Sequence, residues 1–118
     1  MTRMKIIYVA GPYRASNAWG VESNIRCAEE IGFQIAGLGA VPVIPHTMYR
    51  FFNGTLTDRF WLDATLALMR TCDAMFLVPG WRNSEGSVAE NENFAGPVFE
   101  NFGDVVAWLE RCREAAPR

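Results

Sequence analysis

The run AMFLVPG at residues 74–80 is apolar throughout, with no alternation of apolar and polar residues. A strand with one wet face alternates, so an unbroken apolar run of this length belongs to a strand covered on both faces. Three more short runs resemble it. KIIYVAG at 5–11 is rich in β-branched residues and stops at Gly-Pro, AVPVIPH at 40–46 carries prolines suited to strand ends or edges, and GPVFE spans 96–100. Helical patterns fill the gaps. Ile25, Ala28, Gly32, Ile35 and Ala36 share one stripe, which a glycine ends at LGA; Phe60, Ala64, Ala67 and Leu68 share another across residues 57–70. A third helix should start near Ser84, and a fourth near Asp104 with Val105, Val106 and Leu109 facing inward.

Strands alternating with helices imply a parallel sheet with helices on both faces. The expected architecture is therefore α/β: a Rossmann-like three-layer sandwich with four or five parallel strands. At 118 residues, 1–118 reads as one domain. Ligands of such sheets bind outside the carboxyl ends of the strands, where the strand order reverses. Function should then sit on residues 11–19, 46–57 and 80–90.

Net charge narrows the partners. The formal charge is −2, with a single lysine, Lys5, and scattered arginines, so no basic stripe exists to neutralise a nucleic acid polymer. One phosphate remains within reach, because one arginine or a helix terminus suffices for it. Cys27, Cys72 and Cys112 are odd in number and widely spaced, which suits buried free thiols rather than a zinc or redox site. The apolar run near the start is too short for a signal peptide or membrane span. The expectation is a cytoplasmic protein with no membrane partner.

The segment GWRNSEGSVAENENFAG at 80–96 holds the strongest candidates. Ser84 suits an N-cap, and a helix N-terminus facing a crevice also suits an anion, with Ser84, Gly86 and Ser87 as donors. Glu90 lies four residues after Gly86 and three after Ser87, on the same helical face, and its side chain leans back toward that terminus. Glu85 complements the helix dipole, and Glu92 points elsewhere. Trp81 is expected to wall the crevice. After the first strand, Gly11 permits close backbone approach, Tyr13 can stack on a base or ribose, and Arg14 offers a fork for phosphate. His46, the one histidine, follows the second strand. The aromatic stretch around Asn53 and Gly54 suits a base pocket or a subunit contact. Asp58 and Asp63 both lie near the start of the second long helix; either can hold a ribose hydroxyl or assist a leaving base, with Asp63 preferred. Asp73 opens the third strand at the far end and reads as structural. A carboxylate in Glu90's position fits displacement at an anomeric carbon.

YVAGPYRA, PH, CDAMFLVPGW and the S-x-G-x-x-x-E of Ser84, Gly86 and Glu90, in that order, resemble the nucleoside 2-deoxyribosyltransferase superfamily over about residues 4–100. The resemblance implies a flavodoxin-like sheet and cleavage or transfer of the N-glycosidic bond of a nucleoside or its 5'-monophosphate. It implies Glu90 as nucleophile, Ser84 and Arg14 as phosphate ligands, no cofactor, and a homodimer or larger homo-oligomer whose neighbouring subunit completes the pocket. One departure is NENFAGP, which returns to the fourth strand so soon that the preceding helix has barely three turns. A binder of a nucleotide or nucleotide-derived signal that does no chemistry, and an enzyme cleaving NAD, are the alternatives.

Overall fold

Successive residues of a strand go to opposite faces, and in β1 (Ile6–Ala10) both faces are apolar and almost wholly buried. The computed structural model describes residues 3–48, 52 and 55–115. The other strands are β2 (Val41–Val43), β3 (Ala74–Leu77) and β4 (Val98–Phe99). All pair in parallel, in the order β2-β1-β3-β4, with Tyr8 opposite Met75 and Val9 opposite Phe76. The helices are α1 (Ala18–Gly37), α2 (Pro45–Met48), α3 (Asp58–Met69), α4 (Glu85–Glu92) and α5 (Phe102–Glu114), with a 3-10 turn at Trp81–Asn83.

The two sheet faces have separate cores. Ile7, Val9, Ala74, Phe76 and Val78 pack with Ala28, Ile31 and Ile35 of α1 and with Val105 and Leu109 of α5. Tyr8, Ala10, Met75 and Leu77 pack on the other face with Met69 and the half-buried Leu66 and Leu68 of α3. This is the expected three-layer α/β sandwich with four strands. Side-chain oxygens cap the four longer helices at their starts: Asn17, Thr57, Ser84 and Asn101 accept from Gly20, Phe60, Ser87 and Asp104 amides. Each such cap contributes about 1 kcal/mol. The stop of α1 needs a glycine. Gly39 has φ +92°, and the next amide, of Ala40, reaches back to the Ile35 carbonyl at 3.3 Å.

Several expectations shift. The second strand stops at Val43 rather than His46, because Pro45, with no N–H and a preset φ, starts α2. In α1, Ile31 takes the buried place expected of Ala36, which faces solvent. In α3, Phe60 is exposed because the first half of the helix overhangs a cleft, and Ala67 is exposed because Leu66, Leu68 and Met69 make the contact with the sheet. Val106 is likewise exposed. The helix after Ser84 has eight residues, a little over two turns rather than three. The cysteines are free, but Cys27 is exposed on the solvent side of α1 and the other two are half-buried.

Asp73 accepts from the Ile6 amide at 2.8 Å and from both arms of Arg3 at 2.7 and 2.9 Å, tying the amino ends of β1 and β3 together. The Arg3 hydrogen bond holds its carboxyl below the ordinary range. Among the described residues no helix is long and apolar enough to cross a membrane.

Candidate active site

From β1 the chain crosses to β2 on one side, and the later strands, β3 and β4, lie on the other. The order therefore reverses between β1 and β3, and a crevice opens outside their carboxyl ends. A cleft of about 650 Å³ lies there, walled by the segment after β1, by α2, by the first half of α3 and by the start of α4.

Glu90 reaches this cleft through two local facts. Ser84 caps α4 in extended backbone, so Gly86, Ser87 and Glu90 share the face turned to the crevice. Tyr8 is an even-numbered residue of β1, which points it to the α3–α4 side of the sheet. There its hydroxyl donates to Glu90 Oε2. Burial pushes the Glu90 carboxyl up to about 7, an effect the Tyr8 hydrogen bond partly offsets. Burial, and then the neighbouring Glu90 charge, push the phenol well above its ordinary value, so Tyr8 stays a neutral donor; the Thr65 side chain opposes that shift. A carboxylate near pH 7 with one oxygen held is suited to nucleophilic or general acid–base work.

At the α4 terminus the Ser84 Oγ accepts from the Ser87 amide at 3.3 Å and from the buried Ser87 hydroxyl at 3.1 Å. With both lone pairs used, its own proton is what it can offer a ligand. Gly86 faces open space. A Cβ there would meet only the Ser84 Oγ, at 4.0 Å, so packing does not require glycine, and the room it leaves belongs to the cleft.

The other expected residues divide. Gly11, Tyr13, Arg14 and His46 line the cleft. Gly11 has a packing reason, however: its Cβ would fall 2.5 Å from Val78 Cβ. Arg14 pairs at 3.0 Å with Asp58, also on the cleft, both strongly exposed. Asp63, preferred on sequence, is outside the lining and pairs with Arg59 one turn earlier at 3.1 Å. The reason is angular: Asp58, Trp61, Leu62 and Thr65 define the inward face of α3, and Asp58 is the acid on it. Trp81 does not wall the cleft. Its indole N–H donates to Glu100 at 3.0 Å, and its ring packs on the Tyr8–Met75 core under the Arg82 guanidinium. Glu85 and Glu92 are exposed.

His46 is buried, and its Nε2 faces the Gly11 and Pro12 carbonyls, both at 3.0 Å. Burial lowers its pKa, against the pull of the two carbonyls, and so favours the neutral ring. Its Tyr13 neighbour sits at 5.9 Å between ring centroids.

Sequence reasoning missed Tyr8, whose signal was a polar tip inside an otherwise apolar strand. It also missed the pairing of Phe52 with Trp61, stacked at 5.8 Å along the cleft wall. Asn53 and Gly54, the turn in that aromatic stretch, lie outside the described residues. Among the described residues no three His, Cys, Asp or Glu side chains gather as a metal ion would need.

No curated protein sequence matches the chain. A family model described as "Domain of unknown function (DUF7768)" matches residues 5–96, most of the chain, which therefore belongs to that family.

Proposed function

We propose that the protein cleaves or transfers the N-glycosidic bond of a deoxynucleoside or its 5'-monophosphate, with Glu90 as nucleophile. One observation carries the reading: a half-buried carboxyl, near neutrality in pKa and gripped by a strand tyrosine, faces a cleft of about 650 Å³ at the sheet's switch point. The resemblance of the Ser84, Gly86 and Glu90 spacing to the nucleoside 2-deoxyribosyltransferase superfamily supports it.

The step begins with Glu90 ionised. Oε1, the oxygen Tyr8 does not hold, attacks C1' of the sugar as the C1'–N bond breaks and its electron pair leaves with the base. Tyr8 stabilises the remaining charge on Oε2 in the ground state. Asp58, on the cleft wall, is positioned to serve the leaving base or a sugar hydroxyl, and Phe52 with Trp61 offers the base an aromatic surface. Water or a second base then attacks C1' from the opposite side, the C1'–Oε1 bond breaks to release the Glu90 carboxylate, and the proton lost by the attacking group balances the one taken up by the departed base. Ser84 and the α4 terminus, with Arg14, receive a 5'-phosphate where one is present. The functional unit is proposed to be a cytoplasmic homo-oligomer.

The test is release of free base from a panel of deoxynucleosides and their monophosphates, run beside Glu90→Gln. The expected result is turnover by the wild type and a loss of several orders of magnitude in the variant. Tight binding with every ligand recovered intact would move the protein to the class of nucleotide binders.

A further inference from the structure

Residues 11–14 open the connection from β1 to α1 and belong to neither, yet four consecutive carbonyls there are engaged by side chains. His46 Nε2 stands 3.0 Å from the Gly11 oxygen and 3.0 Å from the Pro12 oxygen. Asn24 Nδ2, from the second turn of α1, stands 3.1 Å from the Tyr13 oxygen and 3.4 Å from the Arg14 oxygen. Carbonyl oxygens only accept, so Nε2 carries the imidazole proton and shares it between two acceptors. The Asn24 amide has two protons, one for each carbonyl. The remaining imidazole nitrogen, Nδ1, is buried with no hydrogen-bond partner among the described residues, so none of them competes for the tautomer.

The cost of this arrangement argues that it is used. Asparagine is a poor residue for a helix interior, and a buried histidine nitrogen with no partner among the described residues forgoes a hydrogen bond to them. What both secure is the backbone beneath Tyr13 and Arg14, two side chains that line the cleft. A guanidinium on a free loop would have to be ordered by each ligand it met; one on a clamped loop is ordered beforehand.

We propose that His46 and Asn24 form a two-sided clamp on the segment after β1, positioning residues that set where Tyr13 and Arg14 meet the ligand. The nucleotide identity of that ligand rests on the functional reading above; the clamp itself does not.

Two measurements test it. The first needs no ligand. Nitrogen NMR of the wild type is expected to show His46 in the Nε2–H form, and backbone order parameters at residues 13 and 14 should fall in His46→Leu and Asn24→Leu but hold in His46→Gln, which retains a donor near the Nε2 position. Unchanged order in both leucine variants, or the Nδ1–H tautomer, would overturn the clamp. The second uses calorimetry with a deoxynucleoside monophosphate in a Glu90→Gln background, where the ligand is not consumed. His46→Leu and Arg14→Ala should each weaken binding by about tenfold, with the double variant no more than about twofold worse than either. Independent, multiplying losses would mean that His46 does not act through Arg14. If the wild type binds no nucleoside or nucleotide, the functional reading fails, and the order parameters still decide the clamp.

Discussion

Replacing Glu90 by glutamine should make the protein more stable at neutral and alkaline pH. Glutamine keeps the size of the side chain and an oxygen to accept from Tyr8, and removes the charge. The folded carboxyl titrates at about 7 against an ordinary 4.5, so the fold favours the protonated form. The contribution is complete below pH 4.5. As pH rises, the unfolded chain releases its proton first, and stability falls by about 1.4 kcal/mol per pH unit until the folded group also ionises. Across the window from 4.5 to about 7 the wild type should therefore lose roughly 3 kcal/mol relative to the glutamine variant. Other groups shape the absolute profile. His46, lowered by burial, costs stability as pH falls below 6.5, and Asp73, lowered by Arg3, matters only toward pH 3.8 and below. Both are present in the two proteins and cancel in the difference. Urea unfolding at half-unit steps from pH 4.5 to 8 measures it. A stability difference that stays constant over that range would refute the burial account of Glu90.

Tyr8→Phe removes the hydrogen bond that favours the Glu90 carboxylate, so the acidic limb of the base-release profile should move up by about one pH unit. Gly86→Ala should stabilise the protein by about 0.5–1 kcal/mol, because the added methyl has room; Gly86→Leu should fold but fill the cleft and abolish calorimetric ligand binding. Asp58→Asn should reduce base release at least tenfold, while Asp63→Asn leaves it within about twofold, a contrast read in parallel assays. Ser84→Ala should lower unfolding free energy by about 1 kcal/mol, from the lost cap, and weaken monophosphates more than nucleosides in competition binding.

The sheet was legible because β1 and β3 are buried on both faces, and double burial leaves an unbroken apolar run. Glu90 was legible because helical spacing alone places it with Gly86 and Ser87. Less could be read where tertiary packing decides. Phe60 and Ala67 have the pattern of a buried stripe, but the first half of α3, with Phe60, overhangs a cleft, and in the second half Leu66, Leu68 and Met69 cover the sheet while Ala67 stays exposed. Asp58 and Asp63 differ by five residues, and only the rotation of α3 about its axis separates them. Tyr8 and Asn24 act through bonds spanning 82 and 11 residues, which no local pattern records. Trp81 follows a strand end as a wall residue would, yet the 3-10 turn rotates it onto the core.

The central claim is that Glu90 becomes covalently attached to the sugar. Incubation with a deoxynucleoside or its monophosphate, rapid acid quench and peptide mass spectrometry should find a deoxyribosyl ester on Glu90, accumulating as base is released and absent from Glu90→Gln. Undiminished base release by Glu90→Gln, or an adduct on another residue, would contradict it.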